Sequence, residues 1–427
     1  MIKANDSSRK SWIHVSKDSD FPIQNIPFGV FKKPNLQICI GTRIGDFAID
    51  LNALHKLNYF NGIPLEENVF KKNNLNQFLK STKSIWRLVR DAIAEIFDEK
   101  NSMEEIYQHL IIHPIEQVEM MMPIDVGDYT DFYSSKQHAY NVGCMFRDPK
   151  NALLPNWLHM PVAYHGRASS IILSDKDIHR PMGQQLPNDS EKPIFGASKL
   201  LDFELEMAFI TGQGKDLGEP ISTTEAENYI FGMCIFNDWS ARDLQKWEYV
   251  PLGPFLGKNF ASSISPWIVT MDALEPFRVE GELQKPDVLP YLQYQGKKNL
   301  DIKLEVLISS DSFSPHTVVK SNYKYLYWNS SQQLAHHTVN GCNINAGDLF
   351  ASGTISGEDS KSFGSMLEQT WKGSKPTRMP DGSERKFLHD FDTVHMKAFA
   401  HRKNYKIGFG EVRTKILPAK KHLFTSL

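Results

Sequence analysis

The chain has 427 residues and only four cysteines: Cys39, Cys144, Cys234 and Cys342. No two of them form a CxxC pair, which fits buried free thiols in a reducing compartment better than disulfides or a zinc site. No apolar run approaches the roughly 18 residues of a membrane span, so none is expected. The N-terminal stretch MIKANDSSRKSWIHV is polar and has no apolar h-region of a signal peptide. Charge of one sign is not in excess: 48 Lys and Arg stand against 50 Asp and Glu, a net charge of −2. That balance gives no electrostatic case for nucleic acid or an anionic membrane. The C-terminal Thr425-Ser426-Leu427 lacks the basic middle residue of a peroxisomal signal. The expectation is a cytoplasmic protein.

What is present is an ordinary globular composition, 41% hydrophobic and 23% charged. The length suggests two or three domains, or one large one with an appendage. In residues 1–60 the short runs FGVFKK, LQICIG and DFAIDL, punctuated by Pro27, Pro34, Gly41 and Gly45, predict strands of a small β-barrel-like module. Ile85, Leu88, Val89, Ala92 and Ile96 then follow helical spacing. Ser102 with Glu105 has the form of a capping box, and His113-Pro114 should end that helix. The boundary is placed near residue 120, dividing 1–120 from 121–427. Beyond it IILSD, FELEMAFI, FGMCIFND, SPWIVTM, KLEVLIS, DLFASGTI, VHMKAFA and YKIGFGEV read as strands of a large, mostly antiparallel β domain. GQGKDLG (212–218) has the wrong glycine spacing for a phosphate loop and reads as a hairpin turn.

One strand is unusual. In LDFELEMAFI (201–210) five apolar residues alternate with Asp202, Glu204 and Glu206. Period 2 puts the three carboxylates on one face, roughly 7 Å apart. Such a face can simply be solvated. Unmixed acids on adjacent same-face positions repel, however, and an exposed face ordinarily mixes in Lys or Thr. A divalent cation would remove the repulsion, and hard oxygen ligands favour Mg²⁺ or Ca²⁺ over zinc.

Three further stretches carry chemistry-bearing residues. In FNDWSARDLQKWEYVPLGPFLGKNF (236–260) Asp238 ends an apolar strand, Arg242, Gln245 and Tyr249 recur at helical steps, and Lys258 sits in a Gly/Pro-rich loop. An i,i+4 Asp238–Arg242 ion pair on a surface loop is the plainer reading of that stretch. DYTDFYSSKQHAYNVGCMFR (128–147) offers Asp131, Tyr133, His138 and Arg147, where a lone histidine is more often structural than catalytic. FASGTISGEDSKSFGSMLEQTWKG (350–373) has a Gly/Ser loop around Thr354 and then reads as an apolar strand with Glu368 embedded, costly for an acid unless paired or facing water.

In this order YTDFYSS, QHAYNVG, NALLPNWLH, GRASS, RPMGQ, LDFELEMAF, NDWSARDLQKWEYVPLGPFLGK, HHTVNGCN, GDLFASGTISG and FGSMLEQTWKG resemble the fumarylacetoacetate hydrolase family over nearly the whole chain. The resemblance implies a mostly β, α+β fold: a small SH3-like N-terminal barrel and a large C-terminal mixed β-roll, in a homodimer. It implies hydrolysis of a carbon–carbon bond in a β-diketone at the end of tyrosine and phenylalanine breakdown. By resemblance, Asp131, Glu204, Glu206 and Asp238 bind Ca²⁺ or Mg²⁺, with Lys258 and Ser262 at the metal site. Position 262 is usually Thr in the family. His138 corresponds to the general base, oriented by Glu368. Tyr133, Arg147, Gln245, Tyr249 and Thr354 correspond to substrate contacts, and Arg242 joins Gln245 and Lys258 over the leaving fragment. No family role falls on Asp202. Acylpyruvate hydrolases and oxaloacetate decarboxylases share the metal-acid framework, but residues 1–120 and the WEYVPLGPFLGK loop argue against them. A non-catalytic calcium-binding β protein would not need His138, Lys258 and Glu368 together.

Overall fold

The computed structural model describes residues 2–420; the Thr425-Ser426-Leu427 tripeptide lies outside them. The N-terminal part forms a five-stranded antiparallel sheet. Its strands are β1 (Phe28–Lys32), β2 (Ile38–Ile44), β3 (Phe47–Asp50), β4 (Ile112–Pro114) and β5 (Glu119–Met121), in the order β4-β3-β2-β1-β5. The helical spacing becomes α1 (Lys83–Ile96), which buries Trp86, Val89 and Ile93. Ser102 does not cap a helix. The next helix runs Glu105–Ile111 with Glu104 at its N-cap and no side-chain cap bond, and the chain leaves it at Ile112 before Pro114.

The C-terminal part is built on an eight-stranded mixed sheet. Its strands are β6 (Tyr129–Phe132), β7 (Ala163–His165), β8 (Ile171–Leu173), β9 (Leu205–Thr211), β10 (Ile230–Asp238), β11 (Ser262–Ile264) and β12 (Leu349–Ala351). They run β7-β6-β12-β9-β10-β11-β8, and Val269–Thr270 also pairs with β10. The β12–β6 and β11–β8 pairs are parallel. A second sheet of five strands carries Lys303–Ser310, Phe313–Asn322, Thr393–His401, Lys406–Leu417 and Ile178–His179. Three short helices carry site residues: α2 (Lys136–Phe146), α3 (Arg242–Glu248) and α4 (Met366–Gln369). The protein is mostly β. Among the described residues no helix is long and apolar enough to cross a membrane.

Strand parity explains where the site can be. Leu205, Met207, Phe209, Met233, Ile235 and Phe350 pack into a core shared with the second sheet. Ala208, Ile210, Phe231, Cys234, Phe236, Leu349 and Ala351 pack with the N-terminal module instead. Glu206, Asp238 and Asp131 have the parity of this second set, so they share its face at the strand ends. The register brings Asp131 beside Ala351, Ala351 beside Ala208, and Asp238 beside Ser262. The small side chains leave room there. The sheet is covered on both faces, so β9 and β10 are buried along their whole length and a solvated acidic face does not exist.

The expected single strand 201–210 is two. Leu201–Asp202 pairs with Ser240–Ala241, and β9 begins only at Leu205. Glu204, in the break, makes an isolated bridge to Ser365. GQGKDLG is no tight hairpin: it lies in the long connection 212–229 between β9 and β10.

The two parts meet at Phe231, whose ring packs against Phe28, Phe78 and Trp86 at centroid distances of 5.4, 5.9 and 5.1 Å. A continuous core should unfold as one unit. One calorimetric transition is expected for both parts, and Phe231→Ala should destabilise it by about 3–5 kcal/mol. Two separated transitions in the unmodified protein would contradict the shared core.

Candidate active site

Four buried carboxylates converge at the strand ends. Asp131 comes from β6, Glu204 from the break before β9, Glu206 from β9 and Asp238 from the end of β10. One oxygen from each lies within 4.8 Å of the others, and the four residues are 0–6% exposed. The neighbouring donors compensate only part of this charge. Lys258 Nζ pairs with Glu204 Oε2 and, at 2.7 Å, with Asp238 Oδ2. Ser262 Oγ donates to Asp238 Oδ1 at 2.8 Å, and the Tyr164 hydroxyl donates to Asp238 Oδ2 at 3.0 Å. The Gly353 N–H donates to Glu206 Oε2 at 2.9 Å. Gly353 has φ +76°, and a Cβ there would come within 2.2 Å of the Phe132 carbonyl oxygen, so the close approach requires glycine.

Two ligand-type atoms in the cluster, Asp131 Oδ1 and Glu206 Oε1, are buried with no hydrogen-bond partner. Burial first, and then the neighbouring carboxylates, pushes both residues well above the usual carboxylate range. Burial would also raise Glu204, but Lys258 and Arg242 outweigh it and hold this carboxyl low. Hard oxygen donors, buried without partners and mutually repelling, fit a divalent cation.

Arg242 does not pair with Asp238. Its Nε and Nη2 donate to Asp202 Oδ2 at 3.0 and 2.9 Å, and its Nη1 donates to Glu204 Oε1 at 2.7 Å and Gln245 Oε1 at 3.4 Å. Arg242 and Gln245 lie on α3, as their spacing predicted. Asp202, the third acid of the motif, is therefore outside the four-carboxylate cluster.

The second constellation is a histidine–carboxylate pair. His138 lies on α2, capped by Ser135, whose Oγ accepts the His138 N–H. Its Nδ1 is 2.6 Å from Glu368 Oε2, and both side chains are at most 5% exposed. Glu368 stands on α4 rather than on a strand. Ser365 caps that helix by accepting the Glu368 N–H, and its Oγ also donates to Glu368 Oε2 at 3.0 Å. Ser356 donates to the same oxygen at 2.9 Å, and Asn141 Nδ2 donates to Oε1 at 2.9 Å. Burial raises this carboxyl, but the imidazole and these donors leave it below its ordinary value. An ionised carboxylate only accepts, so in the neutral imidazole it favours the tautomer with the proton on Nδ1 and Nε2 as acceptor.

The other expected residues fall around these two groups. The Tyr133 ring meets the His138 ring edge-on at 5.2 Å. Thr354, next to Gly353, is buried with its hydroxyl unpartnered. Arg147 follows the end of α2, is exposed, and donates to the Ala152 carbonyl at 2.6 Å. Tyr249 follows α3 and is 52% exposed. Four residues at the site escaped the sequence reading. Asn141 was accessible, since i,i+3 from His138 places both on one helix face. Ser365 was accessible too, because SMLE has the S-x-x-E form of a helix start. Tyr164 and Ser356 carry no local signal.

With this geometry in view, the comparisons are consistent. The family model described as fumarylacetoacetase N-terminal matches residues 24–123, and that described as fumarylacetoacetate (FAA) hydrolase C-terminal matches residues 129–417. A fumarylacetoacetase of Dictyostelium discoideum is 52% identical over 421 residues, covering 96% of this chain and 99% of that protein. The Homo sapiens fumarylacetoacetase is 49% identical over 415 residues, with the same coverage. Among solved structures, a fumarylacetoacetate hydrolase from psychrophilic Exiguobacterium antarcticum shares the fold, with a TM-score of 0.52 at 15% identity, covering 92% of this chain and 100% of that one. The chain belongs to the fumarylacetoacetate hydrolase family.

Proposed function

We propose that the protein hydrolyses the C–C bond of 4-fumarylacetoacetate to fumarate and acetoacetate, the last step of tyrosine and phenylalanine breakdown. The observation that carries this reading is the His138–Glu368 pair standing beside a buried four-carboxylate cluster. The full-length likeness to fumarylacetoacetases supports the same substrate. The chain acts as a cytoplasmic homodimer, with its N-terminal domain ending near residue 120.

The reaction needs a nucleophilic water at neutral pH and a carbanion that can leave. His138 Nε2 takes the proton of the water, and Glu368 holds the ring in that tautomer and stabilises the imidazolium. The resulting hydroxide adds to the carbonyl carbon. The tetrahedral oxyanion then collapses to the fumarate carboxyl, and the C–C electron pair departs with the acetoacetate fragment, which takes up a proton. Arg242, Gln245 and Lys258 are donors fixed in place before charge develops, which is where electrostatic stabilisation is strongest. Arg147, Tyr133, Tyr249 and Thr354 bind the substrate's carboxylate and carbonyl groups. Asp131, Glu204, Glu206 and Asp238 would hold Ca²⁺ or Mg²⁺, with Lys258 and Ser262 bonded to Asp238. A bound ion would supply Lewis-acid polarisation of the substrate's carbonyl groups.

Loss of fumarylacetoacetate absorbance, abolished by EDTA and restored by Mg²⁺ or Ca²⁺, is the expected result. Metal-loaded, folded protein with no turnover would refute the reading. His138→Ala should lower kcat by about 10²–10⁴-fold while calorimetric metal binding stays intact; wild-type-like turnover would remove His138 from the chemistry. Glu206→Gln should weaken Ca²⁺ and Mg²⁺ binding by about 100-fold or more.

Metal removal should also depend on pH. Asp131 and Glu206 have metal-free values raised above the ordinary 3.8 and 4.5. Their contribution to stability is therefore complete below those ordinary values and is lost as pH rises through the raised ones. EDTA should lower Tm more at pH 8 than at pH 5, and rebinding should release protons, read by calorimetry in buffers of different ionisation heat. Equal Tm loss at both pH values without proton release would place the ion elsewhere.

A further inference from the structure

Asp202 is the acid of LDFELEMAFI that the metal reading leaves over. It is fully buried. Its Oδ1 accepts the Met366 backbone N–H at 2.7 Å, and its Oδ2 accepts the Leu367 N–H at 2.9 Å. Oδ2 also accepts both Arg242 bonds. One carboxylate thus takes two bonds from the turn that carries Glu368 and two from the guanidinium that reaches Glu204 and Gln245. Its own backbone is fixed as well. Asp202 pairs with Ser240 in a two-residue ladder, and the Arg242 N–H donates to the Leu200 carbonyl at 3.0 Å.

A buried ion pair is weak evidence of stabilisation, since apolar replacements of such pairs are often as stable. What the arrangement supplies is geometry. A continuous path runs from His138 through Glu368, the α4 backbone, Asp202 and Arg242 to Glu204, and Asp202 is its only side chain bonded to both halves. We propose that Asp202 is a positioning residue for the reaction: it sets Arg242, over the departing fragment, at a fixed placement relative to the His138–Glu368 pair. The inference rests on the hydrolase reading above. Asn at this position would keep Oδ1 for the Met366 N–H but would turn an amide toward the guanidinium and the Leu367 N–H, so the links to Arg242 and Leu367 would break while the side-chain volume stays.

The test is a pair of double-mutant cycles, Asp202→Asn with Arg242→Gln and Asp202→Asn with Glu368→Gln, read in kcat, KM, Tm and Mg²⁺ affinity by calorimetry. Asp202→Asn alone should lower kcat by about 100-fold, the scale of an ångström-sized misplacement, with KM and Mg²⁺ affinity little changed. In each double mutant its added cost should be much smaller, because the group it positions is already gone. Full additivity in either cycle overturns the inference, as does a fall in Mg²⁺ affinity and Tm that parallels kcat. If Asp202→Asn fails to fold, Asp202→Glu keeps the charge while displacing it, and the same cycles apply. Wild-type protein without turnover would overturn the functional reading and this inference together. Active wild type with additive cycles would overturn this one alone.

Discussion

Mutual repulsion of buried carboxylates is the constraint on which this structure depends. Asp131, Glu204, Glu206 and Asp238 share one small space, with Asp202 a step behind. Isolated buried charges of this kind are costly unless paired, bonded or bound to metal. The surrounding residues answer that cost one by one. Lys258 bridges Glu204 and Asp238, Arg242 bridges Glu204 and Asp202, and Ser262, Tyr164 and the Gly353 N–H take most remaining acceptors. Two oxygens, on Asp131 and Glu206, stay without a hydrogen-bond partner, and the cluster they belong to could hold a cation.

The sheet makes this possible because its two faces have different partners. The odd-numbered residues of β9 support the core toward the second sheet, and Ala208 and Ile210 support the core under the N-terminal module. At the strand ends the apolar cover stops, and the same face that carries Ala208 and Ala351 carries Glu206 and Asp131. The His138–Glu368 pair is delivered separately, by two short helices each capped by a serine, Ser135 and Ser365. Ser356, on the loop after β12, bonds both Glu368 and the backbone at Gly364. Orientation of the imidazole is thus held by four bonds to one carboxylate rather than by burial alone.

Several features were legible from residues alone, for physical reasons. Period-2 alternation in FELEMAFI and the short apolar run in FGMCIFND are local properties of strands, and Leu205–Thr211 and Ile230–Asp238 are strands. The i, i+3 spacing of Arg242 and Gln245 is a local property of helices, and both lie on one. Misreadings were local too. Ser102-x-x-Glu105 and Ser365-x-x-Glu368 have the same form, yet only the second caps a helix, because Glu368 is held in place by His138, Asn141 and Ser356. The break at Phe203–Glu204 was invisible because it is imposed by Ser365 and by the Ser240–Ala241 pair, both distant in the chain.

By itself the sequence determined most of the element types, the like charges gathered in LDFELEMAFI and, through its long motifs, the family. Those follow from periodicity, composition and motif, which need no neighbours. Tertiary structure alone decided which charges meet. His138 and Glu368 are 230 positions apart, Arg242 pairs with Asp202 and Glu204 and not with Asp238, and Asp202 stands outside the four-carboxylate cluster and bonds α4. Partner choice among buried charges depends on distance and desolvation in the folded state, and neither is a property of sequence spacing.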